Sequence, residues 1–147
     1  MNLKPGLVAQ VKTIVTSEQT APHVGSGVIM VLATPVLVNL FEAAALDAVE
    51  QYLLDGYQTV GTRLDVSHFK ATPVGMQVIA RAELVEVLNN RRLIFQLSAE
   101  DEIEEISKGV HERIIVNVER FDERVKEKAG RNKLDRSISA ELIKQID

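Results

Sequence analysis

One long apolar run at helical spacing, followed by four stretches of period-two alternation, constrains this chain more than any other feature. Pro35 to Leu54 reads Pro-Val-Leu-Val-Asn-Leu-Phe-Glu-Ala-Ala-Ala-Leu-Asp-Ala-Val-Glu-Gln-Tyr-Leu-Leu. Thr34-Pro35 supplies an N-cap and a proline at the first helical position, and Asp55-Gly56 supplies the stop. The first half of the run is apolar on nearly every face, the mark of a helix enclosed by other structure. Beyond Gly56 the period changes to two. Strands are expected at about 58–70, 76–88, 91–100 and 103–121, the last bent at Gly109. A first strand is expected over Leu7–Val15, ended by the polar loop Thr16–Pro22.

The links between the later strands are short: Ala71–Gly75, Asn89-Asn90 and Asp101-Glu102. Long sequential strands with short links predict an antiparallel meander. A single apolar helix beside about five such strands has one economical packing, in which the sheet curls around the helix. The expected class is therefore α+β, a hot-dog fold with a long central helix wrapped by a curved antiparallel sheet. Such a sheet leaves an edge and a face that a second copy would cover, so a homodimer or higher homo-oligomer is expected. Residues 1–128 form the expected domain. Residues 129–147 are charged, with Leu134, Ile138, Leu142 and Ile143 as an apolar stripe, and read as a helical extension or a partly disordered tail.

At 147 residues and 46% hydrophobic content, the chain can bury a core without disulfides or a structural metal. The net charge of -4 argues against nucleic acid as a partner. With no cysteine, thiolate zinc sites and cysteine nucleophiles are excluded. Met1–Gly6 lacks the apolar region of a signal peptide, and no apolar run approaches the ~18 residues that span a bilayer. A cytoplasmic location and no membrane partner are expected.

Chemistry centres on Glu42 and His68. A carboxylate in an apolar helix must be paired, hydrogen-bonded or given a chemical task. Strand parity puts His68 with Val60, Leu64 and Val66 toward the helix, and Thr59, Arg63, Asp65 and Ser67 on the opposite face. Asn39, three residues before Glu42, is a candidate to orient the acid or a bound carbonyl, or simply to cap a loop. Thr34 lies eight residues before Glu42, about 12 Å along the axis at ~1.5 Å per residue, so the two cannot pair tightly through the helix. Gly61 marks a bulge or a close approach, and its N–H is a candidate oxyanion donor. Parity groups Arg113 with His111, Ile115 and Asn117, opposite Ile114, Val116 and Val118, which weakens its claim on the core pocket unless the pocket lies between subunits or Gly109 resets the twist. His23 reads as a surface histidine. An acid and a histidine converging on one layer suggest a hydrolase.

Four motifs carry a resemblance. Thr34-Pro-Val-Leu-Val-Asn-Leu-Phe-Glu42, Gly61-Thr-Arg-Leu-Asp-Val-Ser-His68, Ala71-Thr-Pro-Val-Gly75 and Gly109-Val-His-Glu-Arg113 resemble, in order and spacing, those of the fluoroacetyl-CoA thioesterase family of hot-dog proteins. The similarity runs from about Gly6 to Lys128. It implies Thr34, Glu42 and His68 as the catalytic set, Gly61 and Arg113 at the acyl pocket, and hydrolysis of a small acyl-CoA. Coenzyme A would then be the leaving group, with no separate cofactor and no metal. Lys70, Arg91 and Arg92 are the candidates for its phosphates. The family's fluoroacetyl-specific enzyme has a phenylalanine-lined lid before its threonine; here the segment is Val24-Gly25-Ser26-Gly27-Val28, and no phenylalanine precedes Phe41. Two other readings share the fold: a non-catalytic acyl-CoA-binding protein, and a dehydratase acting on acyl thioesters.

Overall fold

Alternating burial along each strand shows how the sheet finds its inner face. In the computed structural model, which describes residues 2–146, the strands are β1 (Val8–Ile14), β2 (Tyr57–His68), β3 (Gln77–Leu88), β4 (Arg92–Asp101) and β5 (Glu105–Asn117). Val78, Ala80, Ala82 and Leu84 of β3, and Leu93, Phe95, Leu97 and Ala99 of β4, line one buried face. The helices are α1 (Ala21–Val24), α2 (Thr34–Val49) and α3 (Val118–Ile146). Helix α2 lays Leu37, Phe41, Ala44, Ala45 and Ala48 on that face, at the spacing of one helical stripe. Alanines on both sides let helix and sheet approach closely around Phe41 and Phe95, both fully buried. This is the α+β hot-dog arrangement.

The sheet order is β1-β3-β4-β5-β2, every pairing antiparallel. The meander therefore covers β3, β4 and β5 only. Strand β2 pairs with β5 at the far edge, and the link 69–76 crosses to β3. The crossing is fastened to the chain before α2, where the Leu32 N–H donates to the Thr72 carbonyl at 2.9 Å and Val31 bridges to Pro73. Asn89 and Asn90 both take positive φ, 53° and 52°, in the three-residue link between β3 and β4, whose turn is closed by the Arg91 N–H donating to the Leu88 carbonyl at 3.0 Å.

Helix α2 is wrapped on one side only: Pro35, Asn39 and Asp47 are exposed. Thr34 is not its N-cap. Ala33 holds that position and has no polar side chain to cap with, while the Thr34 hydroxyl meets His68. Strand β5 stops at Asn117, and the expected strand residues Val118–Phe121 form the first turn of α3, where Asn117 Oδ1 accepts from the Arg120 N–H at 3.1 Å. Helix α3 continues through Ile146 with its side chains exposed beyond Phe121. No bulge falls at Gly109. The register of β5 with β2 and β4 is unbroken there, and a Cβ at Gly109 would run into the backbone of Asp65 and Val66 on β2. No helix among the described residues is long and apolar enough to cross a membrane.

Candidate active site

Strand β2 aims its side chains through a bulge. Gly61 pairs with Arg113 and Leu64 with His111, so one extra residue sits between Gly61 and Arg63. Before the bulge the odd residues face the helix; after it the even ones do. Thr59 and Gly61 consequently share an inner face with Val66 and His68. Simple parity assigns Thr59 outward and Val60 inward, and the extra residue overturns that assignment.

Two polar groups result, near opposite ends of the first half of α2. In the first, Thr34 Oγ1 and His68 Nδ1 are 2.8 Å apart. His68 Nε2 is enclosed and has no hydrogen-bond partner among the described residues. Burial pushes the imidazole below its ordinary value, and the Lys70 backbone opposes that shift without closing a hydrogen bond to Nε2. A cleft of about 270 Å³ opens beside the pair, lined by Ser26, Val31, Thr34, His68 and Lys70 among others.

In the second group, Arg113 Nη1 lies 3.4 Å from Glu42 Oε2. Arg113 is on the helix-facing side of β5 and only 6% exposed, so it does enter the core, against the weight of the parity argument. The parity grouping with His111 and Ile115 holds; the buried face is this one, because β5 lies between β4 and β2 under the helix. Arg113 Nε donates to Thr59 Oγ1 at 2.9 Å, and Nη2 to the Thr59 carbonyl at 3.1 Å. Nη1 also meets His111 Nε2 at 3.2 Å. Burial lowers the pKa of Arg113, while the charge and hydrogen bond of Glu42 raise it. Glu42 itself is less enclosed than its apolar neighbours suggest, with 40% of its side chain exposed.

Gly61 stands between strand and acid. A Cβ there would lie 2.9 Å from Glu42 Oε2 and 3.2 Å from His111 Cε1. The lack of a side chain at Gly61 is what lets the carboxylate approach the strand. Asn39 is exposed, and no hydrogen bond joins it to Glu42 among the described residues. Lys70 stands at the cleft rim, 3.6 Å from Glu104. Arg91 and Arg92 are on the β3–β4 hairpin, with Arg92 held 3.2 Å from Glu112. Sequence reasoning missed Thr59 and His111. A glycine-marked bulge in β2 was the available signal for Thr59, and the adjacency of His111 to Arg113 in one parity set was the signal for the histidine. Among the described residues, no cluster of His, Asp or Glu suits a metal ion.

The fold is that of the hot-dog class, and the comparisons with known proteins make the chain a thioester hydrolase of that class. The family described as fluoroacetyl-CoA-specific thioesterase matches residues 15–119, and the chain belongs to it. The fluoroacetyl-CoA thioesterase of Streptantibioticus cattleyicolor is 41% identical over 98 residues, 67% of this chain and 70% of that protein. A solved structure of the fluoroacetyl-CoA thioesterase FlK superposes with a TM-score of 0.81 at 33% identity, covering 87% of this chain and 98% of the other. A thioesterase-superfamily protein of Thermus thermophilus gives a TM-score of 0.85 at 23% identity, over 91% and 99% of the two chains, a likeness of fold.

Proposed function

We propose that this enzyme hydrolyses a small acyl-CoA thioester, with the acyl group held beside Glu42 and the Gly61 backbone. The observation that carries the reading is the 3.4 Å approach of Arg113 to Glu42 in front of a side-chain-free Gly61 backbone. A buried guanidinium fixes the direction of the carboxylate and supplies positive charge where a carbonyl oxygen would gain negative charge. Glu42 then either attacks the acyl carbon, giving an anhydride that water afterwards hydrolyses, or draws a proton from a water that attacks it. In both routes a new C–O bond replaces the C–S bond, and water supplies the oxygen of the free acid and the proton that ends on the thiol of coenzyme A.

His68 handles that proton. The Thr34 hydroxyl, 2.8 Å from Nδ1, can donate to that nitrogen or accept from it, so the ring can take a proton from water and pass it to the thiolate without losing the contact. Gly61 and Arg113 bound the acyl pocket, and Asn39 lies one turn before Glu42 at its open side. Lys70, Arg91 and Arg92 are the basic groups available to the coenzyme A phosphates. Residues 1–128 constitute the hot-dog unit and 129–147 an extension carried on α3. The free edge of β2 and the uncovered side of α2 support a homodimer, and a CoA-ester substrate goes with a cytoplasmic location.

Product analysis on a panel of acyl-CoA esters tests the reaction. Free thiol and free acid in equal amounts are expected. A change confined to the acyl chain, by loss or gain of water across a carbon–carbon bond with the thioester intact, would make the protein a dehydratase. Binding without product would make it an acyl-CoA carrier.

A further inference from the structure

We infer that His111 is a positioning residue for the hydrolysis proposed above: held as a neutral imidazole, it sets the direction in which Arg113 presents Nη1 to Glu42. Its two ring nitrogens have partners of opposite character. Nδ1 lies 2.8 Å from the Arg63 carbonyl oxygen, which can only accept, so Nδ1 carries the hydrogen. Nε2 lies 3.2 Å from Arg113 Nη1, which can only donate, so Nε2 is the bare acceptor. One tautomer satisfies both contacts. An imidazolium would turn an N–H toward a guanidinium N–H, setting donor against donor and charge against charge.

The geometry of the guanidinium carries the consequence to the acid. Nη1 has two hydrogens in the guanidinium plane, about 120° apart. His111 takes one, and the other is thereby directed toward Glu42 Oε2 at 3.4 Å. Thr59 holds the remaining edge through Nε and Nη2. His111 cannot drift, because it is fully buried with its ring centroid 6.0 Å from that of Phe95. The charged groups facing it are Arg113 from its own strand and Glu42 from α2. Burial and the Arg113 charge disfavour protonation, while the Arg63 carbonyl and Glu42 favour it, and the net displacement is downward.

Two near-isosteres separate positioning from packing. Glutamine at 111 can keep an acceptor toward Arg113, and asparagine can keep a donor toward the Arg63 carbonyl. His111→Asn is expected to lower kcat/KM on the best acyl-CoA about 10- to 100-fold, the worth of a hydrogen bond to a charged group. His111→Gln should stay within about threefold of wild type by the same reasoning, and the difference between the two should vanish in an Arg113→Met background. Equal impairment of Asn and Gln, or a difference that persists without Arg113, would overturn the inference, since a role in core packing predicts either. An activity-independent readout separates this from the function itself: ¹⁵N NMR of the wild-type imidazole should show Nδ1–H with bare Nε2 between pH 6 and 8. The opposite tautomer sinks the positioning role whether or not any acyl-CoA is turned over. The expected tautomer with no turnover refutes the thioesterase reading alone.

Discussion

Gly61 is defined at the scale of single residues by what surrounds the hydrogen where a Cβ would be. Gly61→Ala would press a methyl against the end of the Glu42 side chain, which is partly exposed and can move, and against His111 Cε1 at 3.2 Å, which is buried and cannot. Activity should fall at least tenfold and stability by about 1–3 kcal/mol, the cost of overpacking; kcat/KM beside thermal melting checks the pair of outcomes. Histidine protonation gives a second outcome. His68 and His111 are both held below the ordinary imidazole value, chiefly by burial. As pH falls through about 6.5, the ordinary histidine pKa, the unfolded chain therefore takes up protons before the folded one, and stability declines. Denaturant titrations from pH 8 to 5 should show that decline, smaller in His111→Gln; a flat profile would mean that neither ring is held neutral by the fold. Glu42 and His68 were legible as candidates in the sequence because an acid in an apolar helix and a histidine in an apolar strand each demand an explanation. The environment of Arg113 was not, because strand parity groups residues without saying which group faces inward.

The bulge in β2 and the loop before α2 decide what the site can do at the scale of elements. Helix position, strand number and hairpin links could be read from periodicity and turn residues, since each is a local property. The bulge at Gly61–Arg63 could be suspected from the glycine, but its effect of moving Thr59 inward depends on pairing with β5 more than forty residues away. Sheet order was beyond reach for the same reason: the link 69–76 is short enough for a hairpin, yet it crosses and is fastened at Thr72 and Pro73. The segment between α1 and α2 exposes Val28 at 91% and Ile29 at 69%, with no aromatic side chain to seat against a small acyl group. Contacts of aliphatic groups distinguish small substituents by only about 1–3 kcal/mol. Accordingly kcat/KM for fluoroacetyl-CoA and acetyl-CoA should differ by less than about a hundredfold. A preference of many thousandfold would place selectivity on Gly61, Arg113 and their neighbours instead.

Assembly and reaction meet at the scale of the whole molecule. Strand β2 is an edge strand with exposed residues along most of its length, and the uncovered side of α2, with Thr34 and Asn39, lies next to it. An edge of twelve residues beside an active site is a surface that a second copy would cover. Sedimentation velocity at micromolar concentration should therefore give a dimer; a clean monomer would mean that each chain's site works in the open cleft as it stands. The most direct test of the central claim is thiol release from a short acyl-CoA by Glu42→Gln, which keeps the shape of the side chain and removes its charge. The account predicts that the wild type turns over and that the variant, melting within a few degrees of it, loses roughly 100- to 10,000-fold in kcat, the range for a group acting directly on the reacting atoms. Near-normal turnover by a folded Glu42→Gln enzyme would contradict the account and remove Glu42 from the chemistry.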